Sequence, residues 1–241
     1  MIKKIKLSVT TCYLIPVDNK YLLVDTGYNN DKNRFYKQLE KLRITTKDIS
    51  YILLTHTHDD HVGLVNEIVL QNTSCKVIMH ENAIEKLNTG KNDLSKSNYI
   101  NKRIATVIRL IRKFSKGGFP IYSTREKDII ISKESSFKNL GIDIDGKIIY
   151  TPGHTDDSIS VVLDSGICLC GDAAANMLTI LGTKHCVIVI EDLKEYYASW
   201  TRMLKENITE IYPAHGNTFS VEELHKHLNK QKIQNMRVIK R

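Results

Sequence analysis

No stretch of the sequence approaches the roughly 18 consecutive apolar residues that a membrane-spanning helix requires. The N-terminal Met1-Ile2-Lys3-Lys4-Ile5-Lys6 also lacks the sustained apolar run and small-residue cleavage site of a secretion signal. It reads as a first strand, and a soluble, cytoplasmic protein is the expectation. Cysteines are few and odd in number: of the five, Cys168 and Cys170 share one face of a strand at a spacing that suits neither a zinc knuckle nor a dithiol redox pair. Buried free thiols in a reducing compartment are therefore expected, not a disulfide framework. Aromatics make up only 7% of the chain and the lysines are scattered, so the basic surface with interleaved aromatics of a nucleic-acid binder is not evident. The basic stretch from Lys226 to Arg241 reads as a solvated helix and tail, not a nucleic-acid arm. The net charge of +8 would at most steer anionic small molecules.

What the sequence has is histidine in polar company. The hexapeptide His56-Thr57-His58-Asp59-Asp60-His61 follows the apolar run Ile52-Leu53-Leu54 and leads into Val62-Gly63-Leu64. Imidazole and carboxylate are the donors that suit zinc and its first-row neighbours, and a short loop leaving a buried strand can aim them at one point. Three further apolar runs end in the same way. Ile148-Ile149-Tyr150 runs into Thr151-Pro152-Gly153-His154, Ile167-Cys168-Leu169-Cys170 into Gly171-Asp172, and Glu210-Ile211-Tyr212 into Pro213-Ala214-His215-Gly216. Pro and Gly end each run and leave a ligand-type side chain at or just past the strand tip. Four strand ends bearing such groups are how an α/β sheet assembles a site at one edge.

With Leu23-Val24-Asp25-Thr26-Gly27 ahead of them, these segments resemble, in order and over most of the chain, the metallo-β-lactamase-fold hydrolases. The resemblance implies one metal held by His56, His58 and His154, a second held by Asp60, His61 and His215, and Asp172 bridging the two. It implies that Asp25 lies beneath the metal loop and orients ligands without binding metal. The cofactors implied are two divalent ions, zinc first, with manganese or iron as alternatives. A hydroxide bridging such ions would be the nucleophile, with Asp60 orienting it or moving its proton. Asp59, between ligand positions, reads as a solvated loop residue. The expected activity is metal-dependent hydrolysis of a small-molecule ester, lactone, thioester or phosphoester. The alternatives are a nuclease or phosphodiesterase, and a non-hydrolytic iron oxygenase or sensor. Where acyl-homoserine lactonases typically place a tyrosine, three residues after the bridging aspartate, this chain has Ala175, which weakens a lactonase assignment.

The expected fold is α/β, a four-layer αββα sandwich of two mixed sheets face to face with outer helices, in a single domain over 1–241. Strands are expected at 3–10, 12–17, 21–25, 50–54, 76–79, 128–132, 136–139, 142–150, 159–164, 167–170, 186–190 and 209–212. Helices are expected at 33–43, 62–70, 193–206 and 221–231. Residues 82–127 break the rhythm as a helical insertion. There Ile100, Ile104, Val107, Ile108, Ile111 and Phe114 form an apolar stripe beside Lys102, Arg103, Arg109, Arg112, Lys113 and Lys116, up to a stop at Gly117-Gly118. A cap over the site is the expectation, against a helix packed on the body, a membrane-surface helix or a homodimer contact. His80 and His185 are candidates for the substrate pocket, whereas His225 and His227 read as exposed on the last helix.

Overall fold

The computed structural model describes residues 1–92, 95–111, 118–230 and 239–240. Its elements in chain order begin with β1 (Lys3–Lys6), β2 (Thr11–Val17), β3 (Lys20–Val24), α1 (Lys32–Lys41), β4 (Ile49–Leu53), α2 (Asp59–Val62), α3 (Val65–Gln71) and β5 (Lys76–His80). The region read as an insertion supplies α4 (Ala83–Thr89), β6 (Asn98–Tyr99) and α5 (Lys102–Ile111). There follow β7 (Ile129–Ile131), β8 (Ser135–Ser136), β9 (Gly146–Tyr150), β10 (Ile159–Leu163), β11 (Ile167–Gly171), β12 (Val189–Ile190), α6 (Leu193–Met203), β13 (Glu210–Pro213), β14 (Phe219–Ser220), α7 (Glu222–Lys230) and β15 (Ile239–Lys240).

Two six-stranded sheets have the orders β1-β2-β3-β4-β5-β7 and β14-β13-β11-β10-β9-β8. Both are mixed: β3, β4, β5 and β7 run parallel, as do β11 and β13, and the other pairings are antiparallel. Side chains alternate across each strand, and that alternation sorts the core into layers. Leu22 and Val24 of β3, Leu53 of β4 and Ile78 of β5 meet Ile159 and Val161 of β10 and Leu169 of β11 between the sheets. Their neighbours Leu23, Ile52, Val77 and Met79 face outward onto Phe35 and Leu39 of α1 and onto Val65 and Ile68 of α3. On the far side Cys168, Cys170 and Ile211 pack under Tyr196, Tyr197, Trp200 and Met203 of α6. The result is the expected helix, sheet, sheet, helix stack. Asp192 caps α6, its Oδ1 accepting from the backbone N–H groups of Lys194 (2.8 Å) and Glu195 (3.0 Å). All five cysteines are buried and unpaired. No helix among the described residues is long and apolar enough to cross a membrane.

Several boundaries differ from the sequence expectation. The strand expected over 3–10 ends at Lys6, where Leu7 N–H turns back to Thr10 O at 2.9 Å. The helix expected over 62–70 is split, because Gly63 N–H donates to Gly27 O (2.8 Å) and Leu64 N–H to Thr26 Oγ1 (3.1 Å) in place of helical partners. The strand at 136–139 stops at Ser136, and Lys138–Leu140 curls into a 3-10 turn that buries Phe137 between the sheets. Likewise 142–150 is a strand only from Gly146, and 186–190 only at Val189–Ile190. A third sheet, β12-β6-β15, was not expected. Ile104 and Ala105 of α5 sink into the core beneath α6, so the start of this helix packs on the body. Arg112, Lys113, Phe114, Lys116 and Gly117 of the predicted stripe and stop lie outside the described residues.

Candidate metal centre

The strand tips bring the ligand-type side chains within reach of one another. The carbonyl of Leu53, at the end of β4, accepts from Asp25 N–H just past β3 (2.9 Å), and the hexapeptide follows directly. Glycines set two of the approaches. Gly153, at φ +122°, lies so close to α6 that a Cβ would overlap the backbone of Tyr196. Gly171, at φ +51°, leaves room for Thr55 immediately before Asp172. Alanine at either position would displace the ligand-type residue beside it.

His56, His58 and His154 present three ring nitrogens to one another. The His154 Nε2 lies 3.1 Å from His56 Nε2 and 3.0 Å from His58 Nδ1, and the latter two are 3.2 Å apart. Asp60, His61 and His215 form a second group, with His215 Nε2 3.2 Å from Asp60 Oδ2. Asp172 faces both: its Oδ2 is 3.4 Å from His154 Nε2, and its Oδ1 is 3.2 Å from His215 Nε2 and 3.6 Å from His61 Nε2.

Hydrogen bonds behind the rings decide which nitrogens face inward with free lone pairs. The Nδ1–H of His154 donates to Val189 O (2.9 Å) and that of His215 to Val9 O (3.0 Å), since a carbonyl only accepts. His61 Nδ1 donates to Asp25 Oδ2 (2.8 Å). Thr55 Oγ1 gives its proton to Asp25 Oδ2 (2.8 Å) and so accepts from His56 Nδ1 (3.1 Å). Four Nε2 atoms therefore point into the cluster. The buried His61 Nε2 and Asp172 Oδ1 have no hydrogen-bond partner there. Lone pairs at such separations repel unless a cation lies among them, and a tetrahedral ion with bonds of about 2.0–2.1 Å spans ligand pairs about 3.3 Å apart. The donors fit divalent ions of the zinc type.

Before any ion binds, the two groups differ in protonation: the rings of the first are held neutral, whereas those of His61 and His215, beside Asp60 and Asp172, are held charged and must release a proton to take a metal. Burial, together with neighbouring imidazoles, pushes the pKa of His56 far down and that of His58 to about 3, and burial also lowers His154. These rings stay neutral, as ligands must be. At His61 burial again opposes charge, but Asp60, Asp25 and Asp172 outweigh it and raise the pKa to about 9. Burial alone would raise the carboxyls of Asp60 and Asp172; the surrounding histidines hold both below the ordinary range, ionised.

Asp25 sits at φ +60°, a left-handed conformation that costs a non-glycine residue about 1 kcal/mol or more. Its carboxylate accepts from Thr55 N–H (2.8 Å) as well as from Thr55 Oγ1 and His61. Asp59 is half-buried, not solvated, and its N–H donates to Asn92 Oδ1 (3.0 Å). His80 lies apart from the cluster, stacked on Tyr150 with centroids 4.6 Å apart and accepting at Nδ1 from Asn82 N–H. His185 turns to the C-terminal helix, its ring 4.2 Å from that of Phe219 and 5.4 Å from that of His227. His225 is exposed as expected, but His227 is half-buried beside His185. Reasoning from sequence missed Thr55, Thr10, whose Oγ1 donates to Asp60 Oδ2 (3.3 Å), and the chain from Thr57 Oγ1 to Asp157 Oδ2 (2.8 Å) to Lys86 Nζ (2.6 Å). Only the position of Thr55 and Thr57 within the histidine segment could have marked them.

The family model of the metallo-beta-lactamase superfamily matches residues 5–215. A beta-lactamase-like protein 2 homolog from Drosophila melanogaster is 29% identical over 212 residues, covering 86% of this chain, and the match spans 59% of that relative's own length. A metallo-beta-lactamase fold-containing protein of Sulfurisphaera tokodaii is 28% identical over 232 residues, covering 94% of this chain and 81% of the relative. Among solved structures, an archaeal metallo-beta-lactamase superfamily protein from Sulfolobus tokodaii superposes with a TM-score of 0.64 at 24% identity, covering 95% of this chain and 85% of that one.

Proposed function

Because the chain belongs to the metallo-beta-lactamase superfamily, we propose that it is a metal-dependent hydrolase with a two-ion site. His56, His58 and His154 would hold one ion and Asp60, His61 and His215 the other, with Asp172 placed beside both groups. Convergence of these seven groups, with four Nε2 atoms turned inward by bonds from behind, carries the proposal. Zinc suits the imidazole-rich donor set best, with manganese or iron as alternatives. Bound there, such ions would supply the Lewis acidity that activates water and polarises a carbonyl or phosphoryl oxygen.

The protein's own part is positional. Asp25 and Thr55 fix the rings of His61 and His56, and the carbonyls of Val189 and Val9 fix those of His154 and His215. Asp60 is the least buried of the carboxylates in the centre, 14% exposed against 8% for Asp172, which puts it where substrate enters. It is placed to orient the attacking water or shuttle its proton, held meanwhile by Thr10 and His215. The substrate is a small ester, lactone, thioester or phosphoester, and the net charge of +8 favours anionic ones. Residues 1–241 act as one cytoplasmic domain. Its insertion, 82–127, borders the centre through Asn92 and Lys86 and shapes the pocket.

The test is metal content per chain after purification without added metal or chelator, followed by a panel of ester, lactone and phosphodiester substrates. Close to two equivalents of zinc or manganese with chelator-sensitive hydrolysis is expected. Cleavage of bis(p-nitrophenyl) phosphate or RNA with little esterase activity would instead assign a phosphodiesterase or nuclease. Predominant iron would assign oxygen or redox chemistry, and negligible metal that incubation does not restore would overturn the ligand assignment.

A further inference from the structure

A second group of ligand-type side chains lies on the C-terminal helix and shares no residue with the first. Glu223 and His227 are four positions apart on α7 and so project from one face. His185 reaches them from the loop after β11, and the three residues each offer a donor atom within 4.8 Å of the others. His185 is buried, 8% exposed, yet its Nδ1 has no hydrogen-bond partner. Its ring is fixed against Phe219, and both Lys184 (φ +51°) and His185 (φ +65°) adopt the left-handed backbone that non-glycine residues avoid. A buried imidazole nitrogen without a hydrogen-bond partner, beside a second imidazole and a carboxylate, is the donor set of a transition-metal site.

We propose that His185, Glu223 and His227 form a separate binding site for a divalent transition-metal ion of the zinc class. Two imidazoles exclude calcium and magnesium as natural occupants, because those ions take oxygen ligands. Glu223 already pairs with Lys226 (2.6 Å), but a carboxylate has two oxygens and the lysine is on the solvent side, 58% exposed. The ion links α7 to the segment that carries Asp172. Ala175, three residues beyond Asp172, donates its N–H to His185 O (2.9 Å), and Asn176 N–H donates to His215 O (2.8 Å). The site is half-open on its outer face, so it acts as a clasp that fills and empties with the free-ion concentration.

The test strips the full chain with chelator and titrates it with Zn²⁺ alone, then with Co²⁺ alone, comparing wild type with His227→Ala and Glu223→Gln. Wild type should take up one equivalent more than either variant. Removing a ligand should weaken that site about 100-fold or more, and the zinc-dependent rise in Tm should shrink in both variants. The cobalt spectrum of wild type should contain a component that both variants lack. Equal stoichiometry, equal Tm response and superimposable spectra in all three proteins would overturn the proposal. Failure of the hydrolase assignment would change metal uptake in all three alike, whereas failure of this site abolishes the difference between them.

Discussion

At the sheet edge, four of five imidazoles have the outer nitrogen tied to a carbonyl, a carboxylate or a hydroxyl; on α7, His185 keeps an orphaned nitrogen and relies on a stacked ring for its orientation. The first cluster hangs from strand ends that the sheets hold in register, the second from a loop and one helix face. Groups fixed from behind lose little freedom when they bind, and groups held by a side-on stack lose more. Permanent occupancy is therefore expected of the proposed sheet-edge centre and reversible occupancy of the proposed helix site.

The strongest way to break this contrast is to remove the one residue common to both halves of the main centre. Asp172→Ala should empty it of at least one ion and cost about 4 kcal/mol of transition-state stabilisation, a drop of about a thousandfold in chelator-sensitive hydrolysis. His227→Ala should leave that rate unchanged. Parallel metal analysis and initial rates on the two variants decide the matter, and equal losses would erase the distinction between the clusters.

Next in size is the support beneath the loop. Asp25→Ala removes the acceptor of Thr55 N–H, the Thr55 hydroxyl proton and His61 Nδ1–H at once, a destabilisation of about 3 kcal/mol with metal affinity weakened about 10–100-fold. Urea unfolding and competitive zinc titration read the two effects separately. A stable variant with unchanged affinity would show that ring orientation from behind does not set the strength of the centre.

How much of this was visible in the sequence depends on whether a group announces itself locally. The run His56 to His61, His154 after Pro152-Gly153, Asp172 after Gly171 and His215 between Ala214 and Gly216 are local patterns, and the strand alternation that stacks Leu22, Leu53 and Leu169 is local too. Thr55 is an ordinary threonine until folding sets it between Asp25 and His56. The carbonyls of Val9 and Val189 carry no signature, since every residue has one. Two-residue strands such as β6 and β12 are too short for any periodicity, and the break at Gly63 depends on Gly27, 36 positions away. His227 read as exposed because a helix pattern cannot reveal the loop that brings His185 against it.

A smaller effect concerns the pair that braces Thr57. Burial would raise Asp157, but Lys86 and Thr57 hold its carboxyl below the ordinary value; burial would lower Lys86, but Asp157 and Asp156 raise it. The stability from Asp157 is complete above a carboxylate pKa of about 3.9 and fades as pH falls through its lower folded value. That from Lys86 is complete below about 10.4 and fades as pH rises through its higher folded value. Asp157→Asn should cost about 2 kcal/mol at pH 7 and flatten the acid limb, as unfolding midpoints at pH 7 and pH 3 would register. An acid limb as steep as wild type would put the brace elsewhere.

The smallest expected change isolates a histidine that resembles His185 but has no ligand companions among the described residues. His80 lies almost parallel to Tyr150, at an interplanar angle of 9°, and its buried Nε2 also has no partner. An orphaned nitrogen is thus not sufficient for a metal site; at His185 it is the carboxylate and second imidazole within reach that make one. Phenylalanine at position 80 keeps the stack and removes the orphan but also the acceptor of Asn82 N–H, so His80→Phe should cost no more than about 1 kcal/mol and leave metal stoichiometry untouched. Steady-state kinetics on the same variant separate packing from substrate contact. Unchanged kcat/KM keeps His80 as packing beneath the loop, whereas a fall of about tenfold would place its nitrogen against the substrate.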